Sequence, residues 1–527
     1  MNIVEKHWVE MPDGVKLFTI VQRPAEGGRF PVIFMRSPYH AMAVDEEALR
    51  KEDLKGYVNV VQHCRGTALS EGNFIPYDDE RRDGLAALDW VRAQPFYNGE
   101  IVLQGGSYTS AVHLAYLTSN PPDVTVGWLN VMDSERYNLV YLNGVFKCNM
   151  HGYWALAMYK KNVIAKRSYV EETFLSHPLT GFTRHVLGEP APCIENLLLH
   201  ESKDDPFWQT PAGGSEYRDA MRSVTFPLLL TGGFYDIFID GMFRMWRELS
   251  DDIRRRSAFV VTPYDHDIMG VGAALKHENG WFEGQCPGFQ NQWYDYVRLG
   301  KPMDFIQPGK MAYFPCFGRE WRFAEFLEDG DRTWTLHLNE NSLDAEPGAG
   351  GERSYVYNPV APARFAGGVC NTFGGVQPQN PPDSRYDILS FIGPPVEARH
   401  LFEGRGGVRL RVKSDCPDTG FYVRLSVVKG DKTWPLREDI TSLGRQHPDY
   451  RPGEKVWLDF QFAPHAFWLE PGDRFRLDVS SSCFPGFLPH TNRRGVQALQ
   501  TGVDIARNAV LLGCSTLTLH ENTSPLA

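Results

Sequence analysis

The stretch IVLQGGSYTSAVHLAYL, residues 101–117, constrains this chain more than any other. An apolar run stops at Gly105-Gly106-Ser107-Tyr108-Thr109 and a helical pattern begins at once, with no loop between them. Only a very tight turn joins a strand to a helix so abruptly, and it tolerates only small residues two positions before and after its apex. Gly105 meets that condition and Thr109 is a tolerable substitute. A strand that feeds straight into a helix belongs to a mostly parallel sheet covered by helices. The neighbouring sequence fits, with apolar runs at Val32–Met35, Val58–Gln62, Ile101–Gln104 and Thr125–Val131 that read as strands. Within Asp79–Gln94, Leu85, Leu88 and Val91 recur at helical spacing behind an acidic first turn.

The alternation breaks at about Asp133. Residues 134–224 are rich in Tyr, Trp and His, carry helical periodicity and show no clear strand, which predicts an inserted helical cap. Strands return at Leu228–Thr231 and Ala258–Val261, so the α/β domain is expected to comprise 1–133 and 225–304. From Phe305 the texture changes to alternating segments such as WTLHLNE, VRLRVKS and FRLDVSS, separated by Gly, Pro and Asp. That pattern predicts an antiparallel jelly roll over 305–527.

Hydrophobic residues at 42% and charged residues at 23% exclude a disordered or fibrous chain. Subtracting 65 acidic from 54 basic side chains leaves −11, which argues against a nucleic-acid or anionic-membrane partner. No run approaches the ~20 apolar residues of a membrane span, and the opening MNIVEKHWVEMPDG lacks the apolar segment of a signal peptide. A cytoplasmic location is therefore expected. The nine cysteines contain no CxxC pair, which fits neither a disulfide framework nor a zinc site, and no metal or other cofactor is expected.

In an open parallel sheet, ligands sit beyond the carboxyl ends of the strands. The residues that follow the apolar runs are Tyr39, Arg65-Gly66, Ser107, Asp236 and His266. A hydroxyl, a carboxylate and an imidazole thus occur in the order Ser, Asp, His, the chain order of an α/β-hydrolase triad. The predicted fold is accordingly an α/β-hydrolase domain with an inserted helical cap and a C-terminal all-β jelly roll. Ser107 is the expected nucleophile, His266 its base and Asp236 the group that orients the base. Asp240 is the weaker candidate acid, one turn into the next helix. A second Gly-Gly-Ser at 213–215 has no strand before it and lies in the helical insertion.

These residues resemble the cocaine esterase / X-prolyl dipeptidyl-peptidase-like family of serine hydrolases. The matching segments are PVIFMRSPY, QHCRGTALSEGNF, DWVRAQPFYNGEIVLQGGSY, TGGFYD and PYDH, with YNPVAPA, SDCPDTGFYVRL and RFRLDVSSSCFPGF in the last domain. The resemblance implies that the Tyr39 phenol and the backbone N–H of Tyr108 stabilise an oxyanion. It also implies a small-molecule ester or amide as substrate. Two departures stand out: Ser110 replaces the glycine that ends the family's nucleophile motif, and His63-Cys64 replaces a carboxylate-bearing pair before Arg65. Relatives that prefer α-amino-acid esters resemble one another in carrying acids two and three positions after the triad Asp. Here those positions are Phe238 and Ile239, so an uncharged acyl group is expected, packed on Phe238, Trp154 and Trp208 with Tyr137 and Tyr141 nearby. An X-Pro dipeptidyl aminopeptidase, an acyltransferase using the same acyl-enzyme, and a carbohydrate-binding protein with a vestigial hydrolase domain stand as alternatives. Homo-oligomerisation is left open.

Overall fold

The structure is a computed structural model that describes residues 1–39, 46–159, 167–267, 274–369 and 374–524. Cys370 lies outside the described residues. A ten-stranded sheet begins with an antiparallel hairpin, β1 (Asn2–Glu10) and β2 (Lys16–Pro24). It continues through β3 (Phe30–Ser37), β4 (Val58–His63), β5 (Tyr97–Gly106) and β6 (Val124–Asn130). The intervening cap contains a short hairpin, β7 (Tyr141–Leu142) and β8 (Val145–Phe146), among short helices and turns. Then come β9 (Leu228–Gly233) and β10 (Ala258–Thr262). The spatial order is β1-β2-β4-β3-β5-β6-β9-β10, with β4 through β10 parallel. Every residue of β9 and β10 is buried, the reason that parallel strands covered on both faces read as unbroken apolar runs.

Two features differ from the expectations. The cap is not purely helical, because β7 and β8 pair across the positive-φ residues Asn143 and Gly144. The sheet also does not end at 304. Met311–Tyr313 pairs parallel with β10, and Arg322–Ala324 pairs antiparallel with Met311–Tyr313, so the first sheet gains two strands beyond residue 304. Three-residue strands are too short to show a period, and their assignment depends on the edge they dock to.

Beyond Ala324 the chain builds two antiparallel sheets of nine and four strands. Gly407–Ser414 shows the expected alternation, with Val408, Leu410, Val412 and Ser414 buried. The four-stranded sheet ends in the hairpin Gly420–Lys429 and Lys432–Ser442, whose second strand bonds to Phe234 and Tyr235 of the α/β domain. No helix among the described residues is long and apolar enough to cross a membrane.

Candidate active site

The site starts from the turn after β5. Ser107 has φ +56°, a conformation that non-glycine residues adopt only where the surroundings impose it. A Cβ on Gly105 would lie 2.1 Å from the carbonyl oxygen of Thr109, so only glycine fits two positions before the serine. The Thr109 hydroxyl ties the same turn, accepting from Gly106 N at 2.5 Å and donating to Gly106 O at 2.6 Å. Ser110, where the family motif has glycine, donates to Asn130 O at 3.0 Å and accepts from Asn130 N at 2.9 Å. The added hydroxyl thus fastens the helix Tyr108–Leu117 to the end of β6.

His266 Nε2 stands 3.0 Å from Ser107 Oγ, and its Nδ1 stands 2.8 Å from Asp236 Oδ2. Asp236 is fully buried and its other oxygen accepts from the Phe238 N–H at 2.6 Å. Gly233 lets the β9 and β10 ends come this close, since a Cβ there would lie 2.1 Å from Tyr264 O. Burial disfavours the His266 imidazolium, but the charge and hydrogen bond of Asp236 outweigh it, so the ring titrates above its ordinary 6.5.

The Tyr39 hydroxyl lies 3.4 Å from Ser107 Oγ, and the backbone N–H of Tyr108 meets the same phenol. Burial raises the Tyr39 pKa, which keeps the phenol protonated and able to donate. Trp154 stacks on Tyr108 at 5.2 Å, and its indole also meets the Tyr39 phenol. The Phe238 ring meets the His266 ring edge-on at 5.4 Å.

Trp208 does not join this group. It is fully buried inside the cap, packed on Tyr137 at 5.3 Å and Phe207 at 5.0 Å, with its N–H given to the carbonyls of His200 and Ser202. An aromatic residue in a cap has two faces available, and local sequence does not say which one meets the substrate. Ser215 follows a short 3₁₀ turn and its N–H is spent on Thr210 O. Cys64 is fully buried and burial pushes its thiol well above the ordinary range, leaving it a packing residue. Arg65 finds its carboxylates on other elements, at Asp83 (2.7 Å) and Asp13 (2.9 Å), in place of the one missing at His63-Cys64.

Behind Asp236 lies a cavity of about 270 Å³ whose wall is more polar than the sequence implied. It includes Asp133, Tyr137, Lys147, Asp240 and Asp439. Asp133 pairs with Arg244, and Asp240 pairs with Arg405 of the β domain at 2.5 Å. Asp439, pushed up to about 7 by burial, accepts from Ile440 N, Gln461 N and the Asn143 amide. Lys147 donates to Asn138 O at 2.5 Å, and burial lowers its pKa to about 8. Lys147 and Asp439 sit in no motif and at no strand end that local pattern could single out, whereas Asp133 follows β6 and reads in sequence only as the point where the alternation breaks.

The β domain also reaches the acid loop. Tyr235 donates its hydroxyl to Pro435 O at 2.7 Å, and buried Arg437 donates to Phe234 O.

Comparison with known proteins places this geometry in context. Residues 13–267 match the family model of the X-Pro dipeptidyl-peptidase (S15 family), and residues 326–515 match that of the X-Pro dipeptidyl-peptidase C-terminal non-catalytic domain. The cocaine esterase of Rhodococcus sp. (strain MB1 Bresler) is 23% identical over 94% of both chains. Among solved structures, an aminopeptidase from a marine sediment archaeon, Thaumarchaeota archaeon, is similar with a TM-score of 0.82 at 20% identity, covering 99% of this chain and 96% of that one. An α-amino acid ester hydrolase is similar with a TM-score of 0.80 at 19% identity, covering 99% and 97%.

Proposed function

This chain belongs to the cocaine esterase / X-Pro dipeptidyl-peptidase-like family, and from that premise we propose that it cleaves a small-molecule ester or amide through an acyl-enzyme on Ser107. It is a hydrolase, a serine-hydrolase-type esterase or peptidase. The observation that carries the finer reading is the continuous line from Ser107 Oγ through both nitrogens of His266 to buried Asp236. His266 Nε2 takes the hydroxyl proton as Ser107 Oγ attacks the carbonyl carbon, then returns it to the leaving group as the tetrahedral intermediate collapses. Asp236 holds Nδ1–H in place and stabilises the imidazolium. Tyr39 and the Tyr108 N–H stabilise the oxyanion. Water, activated by the same imidazole, then releases the acid. An alcohol or amine in its place makes the reaction an acyl transfer.

The test is intact-mass analysis after exposure to a panel of p-nitrophenyl esters, with a fluorophosphonate to map the nucleophile. A transient acyl adduct and a label on the Ser107 peptide are expected, unchanged in Ser215→Ala. A label elsewhere overturns the assignment.

Because His266 must be neutral to accept a proton, kcat/KM should rise with pH through a pKa above 6.5. Asp236→Asn removes the charge that holds this pKa up, so the acid limb of the residual activity moves to lower pH. A pH–rate profile of both proteins decides it.

The acyl group is expected to lack an α-amino group. A substrate ammonium needs a carboxylate free to receive it, and here Asp133 and Asp240 are each taken by an arginine while Asp439 already accepts three N–H donors. An ammonium desolvated without a countercharge costs several kcal/mol. A phenylacetyl ester should therefore have at least about tenfold higher kcat/KM than its phenylglycyl counterpart, ~1.4 kcal/mol in the barrier. This also ranks the esterase above the X-Pro aminopeptidase. Preference for the phenylglycyl ester, removed by Asp240→Asn, would reverse that ranking.

A further inference from the structure

We infer that Arg36 and Glu80 are positioning residues for the oxyanion site, locking the Tyr108 phenol, and through it the Tyr108 N–H, onto the strand that carries Tyr39. The inference rests on the proposed acyl-enzyme chemistry and adds to it two side chains outside the triad. Arg36 lies in β3, three residues before Tyr39, and Glu80 opens the helix Glu80–Arg92. Both are buried, Arg36 completely. Arg36 Nη1 donates to Glu80 Oε2 at 2.7 Å and to Glu80 O at 3.1 Å, while its Nε donates to Gln62 Oε1 at 2.9 Å. The other carboxylate oxygen of Glu80 accepts the Tyr108 hydroxyl at 2.9 Å. That hydroxyl in turn accepts from the Tyr77 N–H at 2.7 Å, and Tyr77 is held at φ +70°.

A buried ion pair is often no better for stability than apolar side chains of similar volume, and in some proteins its role is to fix one geometry. Here the geometry it specifies is that of two separate elements. Tyr39 hangs from the end of β3, while the Tyr108 N–H opens the helix after β5, and an oxyanion needs both donors at one point. The chain Arg36, Glu80, Tyr108 connects the two elements through three hydrogen bonds whose directions leave little freedom. The rings of Tyr77 (4.9 Å), Phe74 (5.4 Å) and Trp154 (5.2 Å) enclose the Tyr108 ring and exclude water from these bonds.

The test uses Tyr108→Phe, which keeps the backbone N–H, and the pair Glu80→Gln and Glu80→Ala. Each is assayed for kcat and KM on a p-nitrophenyl ester, for affinity toward phenylboronic acid, whose adduct with a serine is tetrahedral and anionic, and for Tm. Tyr108→Phe should lower kcat by roughly ten- to hundredfold with KM within about threefold, and should weaken the boronate by a similar factor. Glu80→Gln, which keeps an acceptor for the phenol, should retain more activity than Glu80→Ala. The Tyr39→Phe penalty should shrink in the Tyr108→Phe background, because one misplaced donor already disables the pair. Unchanged kcat and boronate affinity well below a lowered Tm would reduce the network to a structural role and overturn the inference. Should Glu80→Ala fail to fold, Tyr108→Phe alone decides. Absence of Ser107 labelling in the unmodified protein would instead overturn the acyl-enzyme reading.

Discussion

Replacing His266 with Ala lowers turnover on the order of 10⁴- to 10⁶-fold, and adding Asp236→Asn to that variant costs little more. Ser107, His266 and Asp236 are joined by hydrogen bonds of 3.0 and 2.8 Å, and once the base is gone the acid has nothing to orient. Ser107→Ala should be equally severe and should abolish fluorophosphonate labelling. The measurement is single-turnover kinetics on the two single variants and the double. Penalties that multiply would mean that Asp236 acts independently of His266. A nearly silent Asp236→Asn would transfer the role to Asp240 or Asp267, although Asp240 is exposed and paired with Arg405.

Tyr39→Phe should lower kcat about 10²- to 10³-fold, with a much smaller change in KM. The phenol lies at 3.4 Å from Ser107 Oγ in the free enzyme, a long contact that leaves its proton free to turn toward an oxygen carrying developing charge. An interaction that strengthens only in the transition state appears in kcat, whereas a packing residue would alter KM or stability. Steady-state kinetics with a thermal melt separate the two. Unchanged kcat would make Tyr39 a packing side chain at the end of β3.

The parts of this protein legible in its sequence are those governed by short-range sterics and by continuous burial. β3, β4, β5, β6, β9 and β10 lie where the apolar runs predicted them, because strands covered on both faces are predominantly apolar. The turn at Ser107 was legible for a related reason: the backbone of Thr109 sits where a side chain on residue 105 would be, so glycine there is a direct record of the geometry. Ser107, Asp236 and His266 gather because the parallel strands they follow end on one side of the sheet.

Other features depend on residues far apart in the chain, and no local pattern reports them. Met311–Tyr313 is a strand only because β10 offers an open edge, and Arg322–Ala324 only because Met311–Tyr313 extends that edge. Trp154 meets Tyr108 while Trp208 fills the cap, although both are tryptophans in one helical insertion. Asp133 and Asp240 look like free carboxylates in sequence, yet Arg244 and Arg405, about 110 and 165 residues away, neutralise them. The acid loop at 234–236 is held partly by Pro435 and Arg437, 200 residues downstream. A backbone turn is decided by its own few residues, and so it is written locally. Whether a buried charge is compensated, and which wall a ring faces, is decided by what the rest of the chain brings against it, and that is fixed only when the domains pack.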